Sequence, residues 1–126
     1  MEKILINETP KTPAVIFDAT VGLIELKGRS IPEDPNKFYE SLLKWISEYC
    51  NNPSLKTIVN LQLEYFNTMS SKRIFELLKY LELIDLKKND VVINWIYDSD
   101  DNDILEAGET FESMIKIPFK KIAIAI

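Results

Sequence analysis

The chain has no histidine, and that absence closes off much of enzyme chemistry. No Ser-His-Asp triad, histidine general base or Cys/His zinc site can be built within it. Cys50 is the single cysteine, so no internal disulfide forms, and the usage suits a reducing cytoplasm. Three glycines are too few for a phosphate-cradling loop of the usual kind. Basic residues are short as well: 15 Lys and Arg against 20 Asp and Glu leave a net charge of −5. Binding to nucleic acid draws on neutralised phosphates, and this balance speaks against it. Long apolar runs are also missing. Ile4-Leu5-Ile6 is too short for a signal peptide, and no window nears the ~18–20 apolar residues of a membrane helix. The expectation is a cytoplasmic protein that engages neither nucleic acid nor membrane and carries no cofactor or metal.

What is present is globular. The chain has 126 residues, 46% of them hydrophobic and 28% charged, which fits a single domain over 1–126. Such a domain buries roughly two thirds of its unfolded surface and needs no disulfide or metal to hold it.

Lys3 to Ile6 reads as a short strand, and Ala14 to Phe17 as a second one ending at Asp18. Val21-Gly22 supplies a turn into Leu23 to Gly28, so these two strands form an antiparallel hairpin, with Gly22 and Gly28 as turn glycines. Asp34-Pro35 opens a helix, Asp as cap and Pro at the first helical position. Its apolar stripe is Phe38, Leu42, Trp45, Ile46 and Tyr49, and Pro53 ends it. Leu55 to Phe66 is a central strand. A second helix is expected over Ser70 to Lys88, burying Ile74, Leu77, Leu78, Leu81 and Leu83 or Ile84. Lys87-Lys88 then face the negative end of its dipole, and Asn89 provides the exit. Val91 to Tyr97 is a strand whose continuous apolar start suggests cover on both faces. A third helix carries Ile104, Leu105, Phe111, Met114 and Ile115 up to Pro118, and Ile122 to Ile126 makes a last strand. The order β-β-β-α-β-α-β-α-β gives an α/β fold with a mixed sheet, parallel in its later part, and helices on one or both faces. The apolar last strand is a possible edge for pairing between chains.

Two segments stand out. At the junction of the central strand and second helix, Asn67, Thr68, Ser70 and Ser71 crowd a helix start, where side-chain oxygens satisfy unpaired N–H groups. A phosphate on Thr68 would meet the positive end of the helix dipole, with Lys72 and Arg73 about one turn along. Fold stability tolerates such a group, whereas a docking partner has to contend with its charge and bulk. In the second segment, Asp98, Asp100, Asn102 and Glu109 fall at positions 1, 3, 5 and 12 of a calcium-loop template. Position 6, which needs glycine, is Asp103, and a strand precedes the loop, so these carboxylates read as a helix start and a solvated loop. Cys50, at the end of the first helix, reads as an unreactive thiol, and Trp45 and Trp95 as core.

Four pieces in register carry a family resemblance. They are Thr12-Pro13 with Phe17-Asp18, Gly28-Arg29-Ser30-Ile31-Pro32-Glu33, Leu63-Glu64-Tyr65-Phe66-Asn67-Thr68 with Ser70 and Lys72, and Trp95-Ile96-Tyr97-Asp98 with Glu106-Ala107-Gly108-Glu109. Almost end to end, the chain resembles the SiaC family of bacterial regulatory phosphoproteins, which are similar to STAS-domain anti-sigma-factor antagonists. The resemblance implies a STAS-like fold and a non-enzymatic partner switch in cyclic-di-GMP and biofilm signalling. It implies a Ser/Thr protein kinase and a phosphatase acting on Thr68, and an unphosphorylated form that binds and activates a diguanylate cyclase. The alternative is a STAS-type antagonist that binds a kinase acting as anti-sigma factor. The family pattern reads Asn-Thr-Ser-Ser, whereas Met69 follows Thr68 here, so Ser70 stands as an alternative acceptor. Tyr65, Asn67, Met69, Ser71 and Lys72 around it are the candidate partner-binding residues.

Overall fold

The computed structural model describes residues 1–125. Six strands form one mixed sheet in the spatial order β1 (Ile4–Ile6), β2 (Ala14–Asp18), β3 (Leu23–Ser30), β4 (Lys56–Phe66), β5 (Asp90–Asp98), β6 (Phe119–Ile124). The first two pairings are antiparallel and the last three parallel. Helices α1 (Pro35–Tyr49), α2 (Thr68–Leu81) and α3 (Asn102–Met114) supply the three crossovers between the parallel strands.

That order decides where the helices lie. From β3 to β6 the chain steps across the sheet in one direction and never reverses. Right-handed crossovers taken in one direction put every helix on the same face. Burial follows suit: Val15 and Phe17, Ile24 and Leu26, Val59, Leu61 and Leu63, and Val91, Ile93 and Trp95 alternate into one core with the helices. Their sequence neighbours Ile16, Glu25, Asn60, Val92, Asn94 and Ile96 are only half-buried, because no helix among the described residues crosses that face. The expected cover on both sides of β5 is therefore corrected to cover on one.

The helix faces form as their spacing requires. Tyr39, Leu42, Trp45, Ile46 and Tyr49 of α1 are buried; Tyr39 joins the expected stripe, and Phe38 is only half-buried. Trp45 stacks on Tyr49 and donates its indole N–H to the Glu2 carbonyl at 2.7 Å. Trp95 packs on Phe111, and Gly108 permits the close seat of α3, since a Cβ there would lie 2.5 Å from the Trp95 ring.

Several boundaries differ from the sequence reading. Helix α2 stops at Leu81 rather than Lys88, because its last carbonyls, of Lys79, Tyr80 and Leu81, accept from residues three ahead and tighten the final turn. Ile84 still reaches the core while Leu83 is exposed. Lys87, Lys88 and Asn89 belong to a separate turn around Asp85, so they neither oppose the dipole nor end the helix; no residue other than glycine adopts a positive φ among those described. Helix α3 closes at Met114, before Pro118, and Met114 is exposed. The last strand begins at Phe119, three residues earlier than expected; Ile126 lies outside the described residues.

Candidate functional site

The junction between β4 and α2 is built by a β-bulge. Strands β3 and β4 pair residue for residue up to Gly28 and Leu63, and then Arg29 pairs with Tyr65, leaving Glu64 extra. A bulge turns the following side chains by one step and re-aims them. Leu63 faces the core, whereas Glu64 and Tyr65 both face outward, and Phe66 turns back to pack on Trp95 and Phe111. Gly28 lies within β3 rather than at a turn. Its φ of 122° requires glycine beside the bulge, where the Glu8 side chain lies over it. Gly22, at φ 68°, does occupy the expected turn.

Asn67 is the helix cap. Its side-chain oxygen accepts the Ser70 N–H at 2.9 Å, its carbonyl accepts the Ser71 N–H, and its own N–H donates to the Ser30 carbonyl at 3.2 Å. Beneath it the hydroxyls of Ser30, Tyr39 and Ser70 form a buried chain, 2.6 Å from Tyr39 to Ser30 and 2.9 Å from Ser30 to Ser70. Burial pushes the Tyr39 phenol up to about 12, against the smaller opposing effect of its bonds to Ser30 and Ser70, so it stays protonated. Three elements, β3, α1 and α2, are tied together at this point.

The expected site residues divide accordingly. Ser70 has no exposed surface and its hydroxyl is engaged, so it drops out as the alternative acceptor: a kinase reaches it only by opening the junction. Asn67 is half-buried and committed to the cap. Thr68 is the first helical residue; it is exposed, and among the described residues its hydroxyl makes no hydrogen bond. Around it Tyr65 is 48% exposed, Met69 40%, and Lys72 also faces solvent. Arg29 was not among the expected contacts. Its guanidinium lies over the Tyr65 ring, 5.5 Å from the centroid, adding a cation to this face. The bulge pairing brings them together, and the isolated Gly28 in a strand pattern was the sequence signal for it. Ser71 is half-buried and lines, with Lys72, Arg73, Phe75, Phe111 and Met114, an open groove of about 420 Å³ beside the helix.

The other candidates are occupied by local structure. In the acidic loop the Asp98 carboxylate accepts the Asp100 N–H and the Asp101 carboxylate caps α3 at the Ile104 N–H, both at 3.0 Å. Among the described residues no group of three acidic or cysteine side chains is placed to hold a metal ion. A cleft of about 210 Å³ on the open sheet face is lined by Glu64 and Asp98 among others. That is below the ~300–1,000 Å³ of ordinary small-molecule sites. Cys50 points its thiol at the Tyr80 carbonyl, 3.3 Å away, and burial pushes it up to about 11, far from a reactive thiolate. No helix among the described residues is long and apolar enough to cross a membrane.

Comparison with known proteins agrees with this architecture. A protein of Pseudomonas aeruginosa (strain UCBPP-PA14) is 27% identical over 119 residues, 94% of either chain. The crystal structure of apo-SiaC from Pseudomonas aeruginosa superimposes with a TM-score of 0.88 at 27% identity, covering 98% of this chain and all of that one. SiaC in the crystal structure of the diguanylate cyclase SiaD with its activator SiaC, from the same organism, gives 0.89 at 26% identity over 96% of this chain and 99% of that one. The model of the SiaC family regulatory phosphoproteins matches residues 6–124, so the chain belongs to that family.

Proposed function

We propose that this protein is a partner-switching regulator whose switch is the Thr68 hydroxyl. Unmodified, it binds and activates a diguanylate cyclase; phosphorylated on Thr68 by a Ser/Thr protein kinase, it releases the cyclase; a phosphatase resets it. The protein itself performs no chemistry in this cycle. The observation that carries the reading is the division of labour at the junction, in which Asn67 caps the helix and leaves Thr68 exposed and unengaged. A phosphate there brings about −1.5 to −2 charges to the positive end of α2 without costing the fold a hydrogen bond. A partner docked on Tyr65, Met69 and Lys72 would have to bury or displace that charge, and either is expensive. The likeness to SiaC, a relative that activates the cyclase SiaD, favours a cyclase over an anti-sigma factor as the effector.

The test is binding of the cognate diguanylate cyclase to three variants. Thr68→Ala keeps the partner, while Thr68→Glu and Thr68→Asp fold as the parent does and lose it. Equal binding by all three would end the proposal. Intact-mass analysis after incubation with the cognate Ser/Thr kinase is expected to show one added phosphate in the parent and none in Thr68→Ala.

A further inference from the structure

Helices α1 and α2 pack directly against each other, whereas the backbones of α2 and α3 make few close approaches. What joins the second pair is largely aromatic. Phe75 of α2 stacks on Phe111 of α3 with ring centroids 6.3 Å apart, and Phe111 packs in turn on Trp95. The open groove of about 420 Å³ beside α2 takes its apolar lining from Phe75, Phe111 and Met114, the last of them 44% exposed. Beyond Phe75 it continues into a hollow of about 360 Å³ that Phe75 and Glu76 share with the exposed Tyr80 and Leu83. From Lys72 to Leu83 this uncovered surface follows α2 for roughly 16 Å at 1.5 Å per residue. Apolar surface left open in this way marks a place where another molecule sits.

Charge says what kind of molecule fits. Thr68, Lys72, Phe75 and Lys79 follow one another at three- and four-residue spacing, so one side of α2 carries both Thr68 and the groove. Lys72 is exposed and, among the described residues, makes no ion pair. Arg73 pairs with Glu76 at 2.7 Å, and its Nε is buried with no hydrogen-bond partner. The groove nearest Thr68 is thus lined by two cations and one carboxylate, in a chain whose net charge is −5.

We propose that the groove between α2 and α3 is where the diguanylate cyclase docks, through a segment that carries a large apolar side chain and a carboxylate beside it. The apolar side chain enters among Phe75, Phe111 and Met114, and the carboxylate takes Lys72 and Arg73 as its counter-ions. This rests on the reading of Thr68 as the switch and supplies the means by which the switch acts on the partner. Lys72 lies one helical turn from Thr68, the spacing at which opposite charges pair on a helix. A phosphate on Thr68 therefore draws Lys72 to itself and sets about −1.5 to −2 charges beside the groove. The cyclase's carboxylate loses a counter-ion and meets a like charge in the same event.

Titration of the cognate diguanylate cyclase with the full chain tests this. Met114→Asp puts a charge into the apolar lining at an exposed position, and Lys72→Glu reverses the free cation. Each is expected to melt as the parent does and to weaken binding by roughly tenfold or more. Lys72→Met weakens it less and makes it less sensitive to salt, because it removes the charge without reversing it. Leu5→Asp, on the open face of the sheet where Leu5 pairs with Ile16 and is 66% exposed, binds as the parent does. A parent that binds the cyclase and loses it in Thr68→Glu, yet keeps it in Met114→Asp and Lys72→Glu, overturns the groove and leaves the switch standing. A parent that binds no cyclase overturns both. Self-association of the parent that Met114→Asp abolishes, with cyclase binding untouched, gives the groove to a second copy and overturns the proposal as well.

Discussion

At the scale of single residues, neighbouring positions at the start of α2 have opposite roles, and their chemistry explains which is which. Asn67 sits one step before the helix, where its side chain reaches back over the first turn to the Ser70 N–H. Thr68, one residue on, has entered the helix and points away. Replacing Asn67 with Ala is expected to cost about 1 kcal/mol, read as a lower melting temperature. Thr68→Ala is expected to change stability by less than about 0.5 kcal/mol, as for an exposed position without partners. A comparable loss at Thr68 would mean that its hydroxyl also supports the helix. Sequence composition named both residues, but it could not assign the cap, because Asn, Thr and Ser all accept such a bond. Nor could it tell Ser70 from Thr68. Only the helical phase, fixed by the packing of Ile74, Leu77 and Leu78, turns Ser70 inward to Ser30 and Thr68 outward.

Among elements, the end of α2 is held differently from its start. Glu82 follows the last helical turn and accepts the backbone N–H of Lys116, just past α3, at 2.6 Å, while pairing with Lys79 at 2.6 Å. The bond from the Lys116 N–H, then that from Lys79, holds the Glu82 carboxyl below its ordinary 4.5. A carboxyl lowered in the folded state stabilises the fold above its unfolded value and loses that contribution as acid protonates it. Stability should therefore decline below about pH 4.5 partly through Glu82, and Glu82→Gln should flatten that acid limb in a thermal-denaturation series. An unchanged slope would show that the tie between α2 and α3 lies elsewhere. The sequence placed this residue inside a longer helix. Leu83, Ile84 and Leu86 continue an apolar pattern, and periodicity alone does not register that the last turn tightens to three-residue spacing.

For the molecule as a whole, β4 is the organising strand: it is flanked by β3 and β5, carries Val59, Leu61 and Leu63 into the core, and delivers the chain to the junction. Backbone amides there open only with the whole domain, so hydrogen exchange should be slowest in β4 and fastest in the edge strands β1 and β6. Equal protection of β6 would contradict this. The alternating strand and helix pattern after Asp34, the hairpin before it and the cap at Asp34-Pro35 were legible in the chain, since each follows from local periodicity or turn chemistry. So was Thr68 as a residue worth attention. What the chain could not specify alone was side: whether helices cover one face or two, whether Glu64 and Tyr65 alternate or point together, which hydroxyl is sealed. Those depend on strand order and on the bulge opposite Gly28, both set by contacts between residues distant in sequence, where local patterns carry no information.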